Sequence, residues 1–197
     1  EYVLQLDPQN GGVTEVIVGA PNTAISAATP VYPGYTFDGW YTEAVDGTIT
    51  TIPSQMPAAD LHLYAHWTAN TNTPYTVEHY LIEPNSRSAT SSAYTEVLTG
   101  TTDTEILIDS DRFKDQGYAN GTASGSTIKG DGSAVVRVDY YPTNRTMTFN
   151  LNYAGAPAAS ITALFGKNIA ARIPVPTRPG YTFAGWSPEG RSPSRRR

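Results

Sequence analysis

The sequence predicts an α+β fold, mostly β, divided among small tandem modules of which the last is incomplete. Three observations carry that expectation. Residues 33–40 read PGYTFDGW, and residues 179–186 read PGYTFAGW, identical except for Ala184 in place of Asp38. A repeat of this length at so wide a separation marks an array of units rather than one large core. The composition is strand- and turn-forming, with 26 Thr, 13 Tyr, 15 Pro and 17 Gly. Thr and Tyr suit pleated, half-buried strands, and Pro and Gly suit turns. Finally, alternation of period two recurs in LHLYAHW at 61–67, YTVEHYL at 75–81 and AVVRVDYY at 134–141.

The elements follow in order. Residues 3–6 alternate as a strand. Asn10-Gly11 then reads as a hairpin turn, because positive φ is needed at both central positions, and 13–18 return as the second strand. Asn22 or Thr23 caps a short helix over 24–28, which Pro30 and Pro33 stop. The motif at 33–40 is the next strand. Strict alternation puts Tyr35, Phe37 and Gly39 on one face and Thr36, Asp38 and Trp40 on the other, with Gly39 marking a bulge or close backbone approach. A turn at Asp46-Gly47 leads to a short strand over 48–52. The strand at 61–67 places Leu61, Leu63, Ala65 and Trp67 on one face and His62, Tyr64 and His66 on the other.

Residues 68–74 (TANTNTP) are polar and read as a linker. Strands are expected at 75–81, 94–98 and 104–108, then a capped helical turn after Asp109, Ser110 and Asp111, and a last strand over 134–141. Residues 143–145 are the second joint, after which the first module restarts. Phe149 and Leu151 take the places of Leu4 and Leu6, and the second motif follows at 179–186. No counterpart of 61–67 comes after it. The expected division is 1–70, 71–143, a partial module at 144–187, and a disordered tail or scar at 188–197.

Composition excludes several classes. Cysteine is absent, so disulfides and thiolate metal sites are ruled out. The net charge is −5, and four of the 13 basic residues crowd into 191–197. The acidic body should repel nucleic acid and anionic membrane. No apolar run approaches the roughly 20 residues of a membrane-spanning helix, so no membrane insertion is expected. The chain opens directly on strand-like residues, as an internal piece of a longer protein would.

No constellation calls for catalysis, a metal or a cofactor. His62 and His66 lie on one strand face but about 13 Å apart at 3.3 Å per residue, too far to share a metal. His79 reads as a strand residue. Asp109, Asp111 and Asp115 lack the glycine and late glutamate of a calcium loop, and helix capping explains them. Lys114, Lys129 and Lys167 have no sequence context for isopeptide cross-links. There is no G-x-S-x-G nucleophile turn and no phosphate loop. Tyr35, Tyr41, Tyr64, Tyr80 and Tyr141 offer flat faces with polar tips that suit sugars, or they pack across strands. Tyr80 and Tyr141 are the candidate ligand-binding residues.

The run PGYTFDGWYT, the Gly47-Thr48 turn and MPAADLHLYAHWTAN together resemble the Listeria–Bacteroides repeat, the B-repeat of internalin-like surface proteins. The resemblance covers residues 2–70 and, incompletely, 146–187. Residues 75–142 resemble a mucin-binding-protein-type (MucBP-like) module, from YTVEHYL through LTG to VVRVDYY. These resemblances imply ubiquitin-like β-grasp modules in tandem within an extracellular protein of the bacterial surface or a secreted one. They bring no catalytic residue and no cofactor. The implied role is a stalk or spacer presenting or supporting adhesion. The alternatives are a module that itself binds host glycans, mucin or a host protein, and an accessory region of a secreted glycan-degrading enzyme. Attachment to the cell wall would come through other regions. The signature residues are Pro33, Gly34, Tyr35, Phe37, Gly39, Trp40 and Trp67, with Pro179, Gly180, Tyr181, Phe183, Gly185 and Trp186 in the second motif. The difference between Asp38 and Ala184 argues against a shared catalytic Asp, and the motif reads as a turn followed by an aromatic core anchor.

Overall fold

In the computed structural model, which describes residues 1–188 apart from Arg87, Thr90 and Ser124, alternating strands collect into three sheets. The tail expected at 188–197 lies outside the described residues except for Pro188.

The first sheet holds β1 (Tyr2–Asp7), β2 (Glu15–Gly19), β3 (Tyr35–Tyr41), β4 (Ile49–Thr50) and β5 (Leu61–Ala69), in the order β2-β1-β5-β3-β4. β5 is central. It runs parallel to β1, with Leu4 opposite Leu61 and Leu6 opposite Leu63, and antiparallel to β3. Alternation sends Leu4, Leu6, Leu63 and Ala65 inward, and they close a core with Trp40 and Met56.

Two sequence expectations change here. The register slips between Phe37 and Gly39, where Gly39 has φ +135°. That bulge takes up one residue. Phe37 and Trp40, expected on opposite faces, therefore both turn to the core and meet edge to face at 5.6 Å. The helix expected over 24–28 does not form. Five residues fall short of the length at which a helix sustains itself, and their backbone finds partners elsewhere. Ile25 N–H donates to Ser54 O, and Met56 N–H donates to Thr23 O. Among the described residues there is no α-helix, so the α part of the expected class is absent.

The second sheet holds β6 (Thr73–Leu81), β7 (Tyr94–Gly100), β8 (Thr122–Ala123) and β9 (Val135–Tyr140), ordered β7-β6-β9-β8 with β6 and β9 parallel. Tyr75, Val77, Val136, Val138 and Tyr140 fill its core with Ile106 and Ile128. The strand expected over 104–108 is reduced to one bridge, Glu105 with Thr127. The expected helical turn is the 3-10 turn Lys114–Gln116, closed by Gly117 at φ +102°, but its N-cap is Phe113 with no side-chain cap hydrogen bond, so the capping expected from Asp109, Ser110 and Asp111 does not form.

The third sheet is a hairpin of β10 (Asn144–Phe149) and β11 (Ala159–Leu164), followed by the 3-10 turn Ala170–Arg172. Phe149 is buried as Leu4 is, but Leu151 falls beyond the strand. Residues 182–188 form no strand, although 179–186 repeat the sequence of β3 and the turn before it.

The expected linker over 68–74 is also corrected. β5 runs to Ala69 and β6 starts at Thr73, so only Asn70, Thr71 and Asn72 lie between them. Of the threonines that suggested a linker, Thr68 lies exposed in β5, Thr73 is buried in β6, and Thr71 falls between the strands.

Candidate functional site

The two motifs share their local geometry. Pro33 and Gly34 form a turn in which Tyr35 N–H donates to Tyr32 O at 3.0 Å, and Tyr181 N–H donates to Arg178 O at the same distance. Gly34 and Gly180 have φ +80° and +78°, the left-handed conformation that a type II turn requires at its third residue. The bulge glycines Gly39 and Gly185 also match, at φ +135° and +124°. Phe183 meets Trp186 as Phe37 meets Trp40, with ring centroids 5.3 and 5.6 Å apart.

Their surroundings differ. The first turn is docked on the second sheet. Gly34 O accepts from Asn70 N–H at 2.8 Å and from the Thr102 hydroxyl at 2.8 Å, and Thr102 N–H donates to Asn70 O at 3.0 Å. The Thr102 hydroxyl also meets that of Thr73 at 2.7 Å. Tyr35 stacks on Tyr32, whose edge faces Trp67, and its hydroxyl donates to the Asp103 carboxylate. That hydrogen bond is the main reason the Tyr35 pKa is pushed up to about 12. A Cβ on Gly34 would strike the backbone of Gly130, whereas one on Gly180 would meet nothing within 4 Å. In the second motif Arg178 takes the place of Tyr32 and lies over the Tyr181 ring at 3.9 Å. Trp67 donates from its ring N–H to Pro8 O at 2.7 Å, tying the end of β5 to the loop after β1.

The second joint is held in a similar manner. Both the N–H and the hydroxyl of Thr143 donate to Gly117 O, Phe165 N–H donates to Thr143 O, and the Tyr118 and Phe165 rings meet at 5.6 Å.

Tyr80 and Tyr141 lie on or just beyond the outward face of β6 and β9, but in different settings. Tyr80 has Arg137 stacked on its ring at 3.9 Å and donates to Glu78, which raises its pKa. Arg137 in turn donates to Asp139 at 2.8 Å. Tyr141, one residue past β9, is half exposed beside an open cleft of about 430 Å³. Pro84, Pro142 and Leu164 give this cleft apolar walls, and Glu83 and Lys167 bring opposite charges. Tyr41 and Tyr64 stack on His66 and His62, so those histidines form aromatic pairs across and along the strands. The Asp109 carboxylate accepts from the N–H of Asp111 at 3.2 Å in a local turn ahead of the 3-10 helix, and Lys114 pairs with Asp111 at 3.7 Å.

Sequence reasoning missed a buried polar network. His79 is fully buried, with Nδ1 2.9 Å from the Tyr140 hydroxyl and Nε2 3.0 Å from Glu96. The Tyr140 hydroxyl also donates to Asp109 O at 2.8 Å, and Arg112 lies 3.4 Å from Glu96. A hydroxyl donates once, so Nδ1 of His79 is the donor to Tyr140. Burial pushes the Tyr140 pKa up to about 12. The available signal was parity: His79 sits in the inward register of Tyr75 and Val77.

These arrangements bring together turns, stacked rings and joint hydrogen bonds. Among the described residues, no three His, Asp or Glu side chains are grouped to hold a metal, and no helix is long and apolar enough to cross a membrane. The profile of the Listeria-Bacteroides repeat domain matches residues 5–66 and again 146–192. A stretch of 65 residues is 40% identical to Internalin H of Listeria monocytogenes serovar 1/2a, covering 32% of this chain and 12% of that protein. The chain thus spans a small part of the length of that relative. With two profile matches that together span more than half of it, the chain belongs to the Listeria-Bacteroides repeat family.

Proposed function

We propose that this chain is a non-enzymatic spacer region of a bacterial cell-surface or secreted protein, presenting or supporting adhesion by that protein. It comprises a complete repeat at 1–70, a MucBP-like unit at 71–143 and a partial repeat at 144–187. The complete units are read as β-grasp modules. The order β2-β1-β5-β3-β4, with the first and last strands side by side and parallel, supports this, as does the parallel pair β6 and β9. The likeness to Internalin H and the repeat family supports a surface or secreted location.

The observation that carries the spacer reading is the first joint. Gly34, Asn70, Thr102 and the Tyr35–Asp103 pair bind consecutive units together over three linking residues. A joint of that kind resists bending, which suits a part that holds another at a distance. A second reading, binding of host glycans or mucin, is favoured by the half-exposed Tyr141 beside the proline-walled cleft.

A mucin pull-down and a glycan array with the 197-residue chain separate the two. The spacer reading expects no specific retention, and small-angle scattering with one preferred spacing that broadens in Asp103→Ala. Specific retention lost in Tyr141→Ala would replace the spacer with an adhesive module.

A further inference from the structure

The hydrogen bonds of His79 call for one proton more than a neutral ring carries. The Tyr140 hydroxyl lies 2.8 Å from the Asp109 carbonyl oxygen, which only accepts, so the hydroxyl proton is committed to that bond. Nδ1 of His79 lies 2.9 Å from the same hydroxyl and must donate to it. Nε2 lies 3.0 Å from a Glu96 carboxylate oxygen. A neutral imidazole with its proton on Nδ1 leaves Nε2 bare, and two lone pairs would face each other across that distance. A second proton on the ring removes the conflict. Imidazole is a stronger base than a carboxylate by about two pH units, and Arg112 pairs with the Glu96 carboxylate at 3.4 Å. The extra proton therefore belongs on the ring.

The groups around the ring come from three elements. β7 brings Glu96 and Tyr94, whose ring lies 5.7 Å from that of His79. β9 brings Tyr140, also at 5.7 Å. The segment 109–116 brings Phe113 at 6.1 Å and Arg112, which stacks on Tyr94 at 4.1 Å. The Asp109 carboxylate serves its own segment by accepting from Asp111 N–H, and Asp111 pairs with Lys114. Glu96 is thus the counter-charge, set against the cost of full burial and the repulsion of Arg112. The Tyr140 hydroxyl, pushed up to about 12 by burial, keeps its own proton at neutral pH.

We propose that His79 is a proton-operated latch on the segment 109–116. With both ring nitrogens protonated, Nε2–H donates to Glu96, Nδ1–H donates to Tyr140, and the Tyr140 hydroxyl donates to Asp109 O. When the ring gives up its Nδ1 proton to solvent, the remaining N–H stays on Nε2 against Glu96. Nδ1 is then an acceptor, and the Tyr140 hydroxyl turns from Asp109 O to Nδ1. The segment loses one hydrogen bond to β9, and the strand ladders lose none. That segment supports two further contacts. Gly121 N–H donates to Ser110 O at 2.7 Å, and Gly117 O accepts from Thr143 at the second joint. Acid closes the latch and mild alkali opens it.

Nuclear magnetic resonance of the full chain, labelled with nitrogen-15 at histidine, reads the ring directly, and His62→Asn and His66→Asn assign the other two signals. Both ring nitrogens of His79 should be protonated at about pH 5.5 and Nε2 alone at about pH 8.5, on either side of the ordinary imidazole range. Amide exchange at Gly121, corrected for the intrinsic effect of pH on exchange, should be about fivefold faster at the higher pH, the worth of one hydrogen bond. Glu96→Gln separates the latch from general effects of pH. Its side-chain amide donates to a bare Nε2, so a neutral ring keeps Nδ1–H on Tyr140 and the segment stays latched. Gly121 in that variant should exchange alike at both pH values. A bare ring nitrogen on His79 of the unaltered chain at about pH 5.5 would overturn the proposal. Equal protection of Gly121 at the two pH values in the unaltered chain would do the same, as would a Glu96→Gln variant that keeps the full pH dependence.

Discussion

The Tyr35 hydroxyl donates to the Asp103 carboxylate 68 residues further along the chain. This contact joins the turn that opens β3 to the loop that follows β7. Its loss should loosen the joint and leave the units folded. Tyr35→Phe is expected to speed exchange at Asn70 and Thr102 by roughly the equivalent of 1 kcal/mol, the net worth of one such hydrogen bond. The melting of the first sheet should change little, and peptide-resolved exchange beside a thermal melt checks both halves.

Alkaline pH should act on two tyrosines. Tyr140 is raised to about 12 by burial, and Tyr35 to about 12 chiefly by its bond to Asp103. An unfolded tyrosine ionises near pH 10. Between about 10 and 12 the folded form binds more protons than the unfolded form, so stability falls as pH rises through that window and is fully present below it. For the buried Tyr140 the effect is of the order of 2–3 kcal/mol. Denaturant titrations at pH 9 and pH 11.5 should show the decline in the second unit, and Tyr140→Phe should flatten it.

Tyr140→Phe also has a cost at neutral pH. It leaves His79 Nδ1 without its partner in a buried setting, while Asp109 O, on an exposed residue, loses only its donor. An orphaned buried group costs about 1–3 kcal/mol. Chemical denaturation of the second unit should report a loss in that range, with the first unit unaffected.

Trp40→Ala should remove about 3–5 kcal/mol from the first unit, because the ring is buried among Leu4, Leu6 and Leu63. Trp186→Ala should cost well under half of that, since the counterpart core is limited to Phe149 and Ile161 among the buried apolar residues described there. Equal losses at the two tryptophans would contradict the difference in packing.

Gly34→Ala and Gly180→Ala separate backbone strain from contact. Both place a Cβ on a residue with φ near +80°, which costs on the order of 1 kcal/mol. Only the first also drives a Cβ into the backbone of Gly130. Gly34→Ala should therefore disturb exchange in the 128–132 turn, and Gly180→Ala should leave it unchanged.

What was legible in the sequence was local. Pro33-Gly34 and Pro179-Gly180 specify a turn wherever they stand, and Gly39 specifies a kink, so both motifs keep those features. Alternation in β5 placed Leu63 and Ala65 inward because a central strand is sorted by its own side chains. Strand formation at 182–186 was not legible from the motif, since a strand exists only beside its partner. The helix over 24–28 failed for a related reason: its backbone had better partners at Ser54 and Met56, 29 or more residues away in the sequence. The docking of Gly34 on Gly130 and Thr102 left no mark, because two glycines and a threonine in turns look alike whether or not they touch. Tyr80 shows the converse case. Its aromatic character suggested a free face, and Arg137 occupies that face.

The parallel pairing of β1 with β5 bears on how the chain would respond to tension. The chain enters the first sheet at Tyr2 and leaves it at Ala69, and these strands are adjacent, run the same way and are bonded over residues 4–7 and 61–64. A pull on the two ends slides one strand along the other and loads every bond of that ladder at once, instead of opening the bonds one after another. β6 and β9 repeat the geometry at the entry and exit of the second sheet over six residue pairs. Each of these two sheets therefore sets a ladder loaded in shear directly between the points where the chain enters and leaves it.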